Sequence, residues 1–373
     1  MRVLLTGGGT AGHVNPALAI AETVRLNRPD AQIAFVGTDR GKENDLVPRE
    51  GYRLYKVESM GIKRSLSPSN FKALYLAVAS PFRKNTTEIL DEFKPDIVIG
   101  TGGYACWPIM AAAARRGIPT ALHESNAKAG LAIGILQLCV DRIWINFEGT
   151  KKQLKFAKSV DRVGNPLRSG FGVMSKEAAR EKLGIASDDI MVLSFGGSLG
   201  AEHVNTAVLD LMKSVTEENP RVRFLHASGN RDYEVSRARF ENLGLVAEPR
   251  CTLVDYIYDM PLQMAAADLI VSRAGAMTLS ELAMMGKAAI LIPSPHVASN
   301  HQYHNAKALA DADAAVLVEE RELAEGALIR AVRELLEDSE KRTAMEEKVR
   351  GFALPDANRK IWNQILEMIK TKD

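Results

Sequence analysis

The chain has 373 residues, 46% of them hydrophobic and 25% charged, which is typical of a soluble protein with cores for two ordinary domains. Its 48 basic and 46 acidic residues leave a net charge of +2, so composition gives no reason to expect a nucleic-acid partner. Three scattered cysteines exclude a disulfide framework, and without a signal-peptide pattern or an apolar run of about 20 residues we expect a cytoplasmic protein.

A run of glycines joins the first predicted strand, residues 2–6, to an amphipathic helix. Gly7, Gly9 and Gly12 fit the G-x-G-x-x-G pattern of dinucleotide-binding folds. A dehydrogenase would also need an acidic residue about 20 residues further on, to bind the ribose. Asp39 lies 27 residues beyond Gly12 in a charged loop, so this class of enzyme is not favoured.

His13 directly follows the last of these glycines, at the exposed start of the helix. It could simply cap or pack the helix. However, a helix N-terminus disfavours a protonated imidazole, and the neighbouring glycines leave the ring open to a substrate. We therefore consider His13 a candidate base, with packing as the alternative.

Apolar strands and helices alternate along the chain, which predicts parallel, doubly wound sheets. A second strand, glycine turn and helix at residues 190–212 repeat the opening pattern, so we expect two Rossmann-like domains facing a cleft. Gly164 and Pro166 break the pattern between them. The expected domains are 1–163 and 164–354, with a final helix in 355–373 that could return to the first domain.

Residues 71–82 form an apolar run flanked by basic residues at 63, 64, 72, 83 and 84. Helices that are apolar all round are usually buried, so a core helix is the default interpretation. The alternative is a patch that binds an anionic membrane surface. The residues that would make this patch are Phe71, Leu74, Tyr75, Val78 and Phe82.

Two stretches in the second half could bind a nucleotide. The turn at 195–201 offers backbone N–H groups and a helix N-terminus to a phosphate, unless Ser198 only caps the helix. Residues 278–281 (TLSE) match a capping box, but Glu281 could instead accept the hydroxyls of a ribose. His301 and His304 lack a nearby carboxylate or thiolate partner in the sequence, so we expect no metal.

Seven motifs occur in order along the whole chain: GGGTAGHVNPALAIAE, GTGGYACWP, HESNAKAG, VGNPLR, FGGSLGA, SRAGAMTLSELAMMG and HQYHNA. They resemble the MurG family of peptidoglycan N-acetylglucosaminyltransferases, which have the GT-B fold. The resemblance implies inverting transfer of N-acetylglucosamine (GlcNAc) from UDP-GlcNAc to the 4-hydroxyl of the muramyl sugar in undecaprenyl-pyrophosphoryl-MurNAc-pentapeptide. This step converts lipid I to lipid II at the cytoplasmic face of the bacterial membrane, without a metal or other cofactor.

The resemblance also implies roles for individual residues. His13 would be the base, and Arg168 and Ser198 would hold the diphosphate. The other donor-binding residues would be Thr10, Ala11, Gly12, Asn126, Ile257 against the uracil, Ala276, Met277, Thr278, Leu279, Ser280, Glu281 on the ribose, and Gln302 on the sugar. His301 stands where some relatives have a glutamine, so either His301 or Gln302 could contact the sugar. Ala11 replaces a glycine of other members, which its φ angle must permit.

A lipid acceptor favours the membrane interpretation of residues 71–82, so we expect a peripheral membrane protein. Other cell-wall synthesis proteins are further candidate partners. Three alternatives stay open: a related GT-B glycosyltransferase with another lipid acceptor, a UDP-sugar epimerase of similar fold, and a nucleotide-sugar-binding regulator without turnover.

Overall fold

The computed structural model describes residues 1–59, 81, 83–197, 200–297 and 300–370. The chain divides into two units, the first made of Met1–Ser169 with the segment from Leu354 onwards and the second of Gly170–Ala353. In the described ranges, no helix combines the length and the apolar character that crossing a bilayer requires. The five residues proposed for a membrane patch, Phe71, Leu74, Tyr75, Val78 and Phe82, lie outside the described residues.

The first unit contains a seven-stranded parallel sheet with strand order β3-β2-β1-β4-β5-β6-β7. The strands are β1 (Arg2–Thr6), β2 (Gln32–Gly37), β3 (Arg53–Lys56), β4 (Ile97–Gly100), β5 (Thr120–Glu124), β6 (Arg142–Ile145) and β7 (Val160–Arg162). The helices up to β7 are α1 (Ala11–Asn27), α2 (Glu43–Arg49), α3 (Lys84–Phe93), α4 (Cys106–Arg115) and α5 (Leu131–Leu136), with a 3₁₀ helix at Glu148–Gln153.

The central strands of this sheet are apolar on both faces because helices cover both sides. All four residues of β4 are buried, as are four of the five in β1. The strand order reverses between β1 and β4, and in such sheets ligands bind beyond the carboxyl ends of the strands at this switch point. The loops after β1 and β4 therefore form the first place to look for a site.

The second unit has a six-stranded parallel sheet with strand order β10-β9-β8-β11-β12-β13. Its strands are β8 (Ile190–Phe195), β9 (Val222–Ala227), β10 (Cys251–Val254), β11 (Leu269–Ser272), β12 (Ala289–Leu291) and β13 (Val316–Leu317). Its helices are α6 (Lys176–Leu183), α7 (Glu202–Glu218), α8 (Tyr233–Asn242), α9 (Met260–Ala266), α10 (Ala276–Met285), α11 (His301–Ala310), α12 (Ala327–Glu337) and α13 (Ser339–Arg350). Here the switch point lies between β8 and β11.

The last helix, α14 (Ala357–Lys370), packs in the first unit against α1. The side chain of Asn358 donates to the carbonyl oxygen of Leu167 and accepts from its N–H, at 2.7 and 3.0 Å. Further along, Glu367 pairs with Arg142 at 2.7 Å. These contacts attach the C-terminal helix to the unit in which the chain begins.

The two parallel, doubly wound sheets predicted from the sequence are confirmed. Strand β7 was not predicted, because Val160–Arg162 supplies only one apolar residue. Helix α4 begins at Cys106 and includes Pro108 in its first turn. Proline is tolerated there because the first N–H groups of a helix have no partner within the helix.

Candidate active site

His13 lies at the switch point of the first sheet, between the loops that follow β1 and β4. The imidazole packs against Gly102 and Gly103, where a Cβ atom would come within 2.7 Å of Cδ2 and 3.2 Å of Nδ1, respectively. The hydroxyl of Thr101 donates to the carbonyl oxygen of His13 at 2.6 Å. The glycines of the second loop therefore make room for this side chain.

The hydrogen bonds of His13 determine which ring nitrogen carries the proton. Nδ1 lies 3.1 Å from the carbonyl oxygen of Gly8. A carbonyl oxygen only accepts hydrogen bonds, whereas the hydroxyl of Thr10, 3.4 Å from Nδ1, can donate or accept, so both contacts are made when Nδ1 is the donor. In the neutral ring Nε2 is then the nitrogen that can accept a proton. Thus, the backbone turn sets the imidazole in the tautomer that a general base needs.

The glycine turn after β1 packs closely against the loop after β4. A Cβ at Gly103 would lie 2.3 Å from the carbonyl oxygen of Gly8, and one at Gly7 would lie 2.2 Å from the hydroxyl oxygen of Thr101. Gly9 has a φ of +90°. At the helix start, Thr10 and Gly12 are exposed. Ala11 is the first residue of the helix, and its φ angle is not positive. The backbone thus accepts the methyl group of Ala11.

Asn126 follows β5 in the same unit and is held by a buried carboxylate. Glu124 accepts the backbone N–H and the side-chain amide of Asn126 at 2.9 and 3.0 Å, and the N–H of Gly130 at 2.8 Å. Because the NH₂ group of the Asn126 amide faces Glu124, its oxygen faces away and can accept a hydrogen bond from a ligand. His123, by contrast, is fully buried, and burial lowers its pKa to about 4. Its Nε2 makes a hydrogen bond with the carbonyl oxygen of Gly164. His123 therefore has a structural role and is not a candidate base.

In the second unit, a glycine turn connects β8 to α7. Gly197 and Gly200 have φ values of +96° and +84°, and a Cβ at Gly200 would lie 2.3 Å from Asp232. The helix starts at Glu202 with Ala201 as its N-cap. Ser198 itself lies outside the described residues. A helix N-terminus behind such a turn can bind a phosphate.

Glu281 lies in α10, on the neighbouring strand's side of the same switch point. The helix begins at Ala276 after Gly275, with no side-chain cap, so the capping box expected at 278–281 is wrong. The carboxylate has no hydrogen bond or ion pair in the part of the chain that the structure describes. Burial raises the pKa of this carboxyl from 4.5 to about 7. A partly buried carboxylate of this kind can accept hydrogen bonds from a pair of ligand hydroxyls.

The remaining donor-binding candidates of the second unit differ in access. Gln302, in the first turn of α11, accepts the N–H of Ser294 at 2.9 Å, so its side-chain amide group is the part that can donate to a sugar. His301 precedes it and is partly buried. The side chains of Ile257, Ala276, Met277 and Leu279 are each 4–9% exposed, whereas Thr278 and Ser280 are partly exposed. The buried four could contact a ligand mainly through backbone atoms.

Arg168 lies at the end of the first unit and pairs with Glu50 at 2.8 Å. Its side chain is 39% exposed in this pair. Exposed ion pairs contribute at most about 1 kcal/mol, so a diphosphate could compete for the guanidinium at little cost.

Two buried carboxylates near these loops were not singled out from the sequence. Glu124 orients Asn126, and Glu43 binds the N–H of Gly9 at 2.8 Å. The only sequence signal for Glu124 is its place at the end of a buried strand. Glu43 stands among exposed charges in the linear sequence, so nothing local marks it as buried.

The chain matches two family models, Glycosyltransferase family 28 N-terminal domain over residues 3–145 and Glycosyltransferase family 28 C-terminal domain over residues 191–361. It is 40% identical to the UDP-N-acetylglucosamine--N-acetylmuramyl-(pentapeptide) pyrophosphoryl-undecaprenol N-acetylglucosamine transferase of Acetivibrio thermocellus, covering 100% of this chain and 99% of that enzyme. These similarities span both units.

Solved structures give the same result. MurG of Acinetobacter baumannii is 27% identical, with a TM-score of 0.71 over 98% of this chain and 99% of that chain. A UDP-GlcNAc 2-epimerase of Neisseria meningitidis, bound to UDP-GlcNAc, has a TM-score of 0.65 over 98% of this chain and 100% of that chain, but at 15% identity it shares the fold alone. The chain therefore belongs to glycosyltransferase family 28 and, within it, to the MurG family of N-acetylglucosaminyltransferases, with the GT-B fold.

Proposed function

We propose that this protein transfers GlcNAc from UDP-GlcNAc to the 4-hydroxyl of MurNAc in lipid I, forming lipid II for peptidoglycan synthesis. The observation that carries the proposal is the contact of His13 Nδ1 with the carbonyl oxygen of Gly8, which leaves Nε2 to take a proton, since an inverting transfer needs one general base for the acceptor hydroxyl. Full-length similarity to an enzyme named for this donor and acceptor supports the choice of substrates.

In the proposed mechanism, Nε2 of His13 removes the proton from the 4-hydroxyl as its oxygen attacks the anomeric carbon of GlcNAc. The bond from that carbon to the diphosphate oxygen breaks, and UDP leaves with the bonding electrons. The charge on the diphosphate is stabilised by backbone N–H groups of the turn after β8 and by the N-terminus of α7. One displacement gives one inversion at the anomeric carbon.

The nucleotide of the donor is assigned to the second unit, and the acceptor is assigned to the first unit, whose residues would also contact the donor sugar and the diphosphate. Glu281 would accept the ribose hydroxyls, Ile257 would lie against the uracil, and Gln302 would donate to the sugar, with His301 as the alternative. Asn126, Arg168, Ser198, Thr10, Ala11 and Gly12 keep the roles that the family resemblance implies. Glu124 supports the assignment of Asn126, because it fixes that side chain at the carboxyl end of β5, next to β4 in the first sheet.

The acceptor is tested by measuring UDP release with a soluble lipid I analogue and with the same analogue lacking the 4-hydroxyl. We expect release only with the intact analogue, at a rate at least about 100-fold above that without acceptor. Equal release with both compounds, or with a diacylglycerol acceptor in place of the analogue, would contradict the proposal and favour another lipid glycosyltransferase. Conversion of UDP-GlcNAc to its epimer without any acceptor would favour an epimerase.

We also propose that residues 71–82 bind the protein to the cytoplasmic face of the membrane. The support comes from the sequence, where an apolar run lies between basic residues, and from an acceptor that carries a polyprenyl chain. Arg83 and Lys84 follow this run directly in the sequence; Arg83 pairs with Glu58, and Lys84 pairs with Glu88 at 3.6 Å.

Co-sedimentation with vesicles containing phosphatidylglycerol tests this docking. Leu74→Glu and Phe82→Glu should each lower the bound fraction several-fold, and binding by the native protein should weaken as salt rises. The matched control is Leu26→Glu, because Leu26 is 68% exposed at the far end of α1 and should leave binding unchanged. If folded Leu74→Glu and Phe82→Glu proteins bound vesicles as well as the native protein, the membrane proposal would be wrong and residues 71–82 would be interpreted as a core helix.

A further inference from the structure

Glu43, the first residue of α2, is a fully buried carboxylate beside the glycine turn. One oxygen accepts the N–H of Gly9 at 2.8 Å, and the other accepts the N–H of Thr38 at 3.1 Å. The space that it occupies exists because glycines surround it: a Cβ at Gly8 or Gly41 would come within 2.7 or 2.4 Å of its oxygens. The hydroxyl of Thr38 also donates to it, at 3.0 Å, so these three hydrogen bonds hold the carboxylate beside the glycine turn.

The peptide group between Gly8 and Gly9 connects this carboxylate to His13. Its N–H donates to Glu43, and its C=O accepts from Nδ1 of His13 at 3.1 Å. Both hydrogen bonds use the same planar, polarisable amide. Hydrogen bonds in such a series strengthen one another, because a negative charge at the N–H end increases the electron density on the carbonyl oxygen.

We propose that Glu43 is a positioning residue that acts on His13 through the Gly8–Gly9 peptide group. It holds the peptide in the orientation that fixes the Nδ1–H tautomer, and its charge stabilises the imidazolium that forms when Nε2 takes the acceptor proton. The arrangement does the work of a carboxylate bonded to Nδ1 of a catalytic histidine, with one peptide group interposed. This inference rests on the proposed role of His13 as the base.

The test compares Glu43→Gln with the native protein in sugar transfer and in donor binding. Glutamine has nearly the same shape but no charge, and its amide nitrogen cannot accept the N–H of Gly9 or Thr38, so kcat should fall about 10- to 100-fold, as expected for loss of an outer partner of a functional side chain. The dissociation constant of UDP-GlcNAc, measured by calorimetry, should stay within about twofold. In a His13→Ala background, Glu43→Gln should cause no further loss of kcat, because the charge would have no imidazolium to stabilise.

The matched control is Asn44→Ala. The side chain of Asn44 bonds to the carbonyl oxygens of Thr38 and Gly41, each at 3.1 Å, and so stabilises the same loop without touching the carboxylate. If Glu43 only kept this loop ordered, the two variants would lower kcat in proportion to their losses of thermal stability. We expect Asn44→Ala to lose stability but to lower kcat less than about threefold.

Nitrogen NMR of the His13 ring provides a readout that does not depend on turnover. The neutral ring of the native protein should be protonated at Nδ1, and Glu43→Gln should increase the Nε2–H population several-fold. If the glutamine variant does not fold, Glu43→Asp replaces it, since the shorter side chain keeps the charge but cannot reach Gly9. An unchanged tautomer and an unchanged kcat in a folded Glu43 variant would overturn the proposed action of Glu43 on His13, even if His13→Ala is inactive. Full activity of His13→Ala would instead overturn the proposed base.

Discussion

His13→Ala is expected to lose most sugar transfer while it still binds UDP-GlcNAc. General-base catalysis contributes about 100- to 10,000-fold, so kcat should fall by at least about 100-fold. The nucleotide of the donor is assigned to the second unit, so the dissociation constant of UDP-GlcNAc, measured by calorimetry, should change less than about threefold. A nucleotide-sugar-binding regulator would bind the donor equally well but would have no transfer rate to lose.

The variant His13→Asn separates the base from the packing role. An asparagine amide can still donate to the carbonyl oxygen of Gly8, as Nδ1 does now, but it cannot take a proton at neutral pH. We therefore expect His13→Asn to be as inactive as His13→Ala while it keeps more of the native thermal stability. Turnover near the native level in either folded variant would rule out His13 as the base.

The second large effect is expected for Glu281→Gln, in the strength and the pH dependence of donor binding. Hydrogen bonds to a charged group contribute about 1.5–3 kcal/mol, so the loss at pH 8 should be about 10- to 100-fold in affinity. With a pKa of about 7, the native carboxyl is mostly protonated at pH 6, and donor binding should weaken about tenfold between pH 8 and pH 6. The glutamine variant should show no such dependence.

The stability of the folded protein should depend on pH in the opposite direction to donor binding. Glu281 keeps its proton up to a pKa of about 7 in the folded protein but releases it near 4.5 when unfolded. The folded state therefore binds more protons between these values, and its free energy of unfolding falls as pH rises through this window. Above pH 7, Glu281→Gln should be more stable than the native protein, by on the order of 1 to 3 kcal/mol in urea unfolding.

Glu346→Gln is the matched control for both measurements. Glu346 lies on α13 of the same unit, and desolvation also raises its pKa, against the opposing charges of Lys287 and Lys176. The variant Glu346→Gln should show the same pH dependence of donor binding as the native protein. A donor affinity that is independent of pH in the native protein would show that Glu281 does not bind the ribose as a carboxylate.

Much of the fold could be predicted because parallel strands buried on both faces leave a strong sequence pattern. The runs at residues 2–6 and 190–195 are apolar and end in glycines, and both became central strands at a switch point. Short edge strands leave a weaker pattern, which is why β7 was missed. Helix starts depend on one or two residues, and at α10 the S/T-x-x-E pattern was misleading because Gly275 occupies the N-cap.

The candidate site was only partly predictable. His13 could be found because a histidine beside glycines at a helix start is a local pattern. Glu43 could not, because its bond to Gly9 joins residues 34 positions apart, and its burial depends on how α2 packs. The same holds for the tautomer of His13, since a backbone carbonyl oxygen sets it. Residue types suggested the chemistry, and tertiary contacts determined which atoms could perform it.

The anomeric configuration of the product tests the central claim most directly. The donor is α-linked, and the transfer reaction with the lipid I analogue should give a β-linked disaccharide. The linkage is determined from the NMR coupling of the proton on the anomeric carbon. That result follows from a single displacement by the 4-hydroxyl with His13 as the base. An α-linked product, or free GlcNAc released without transfer, would contradict it.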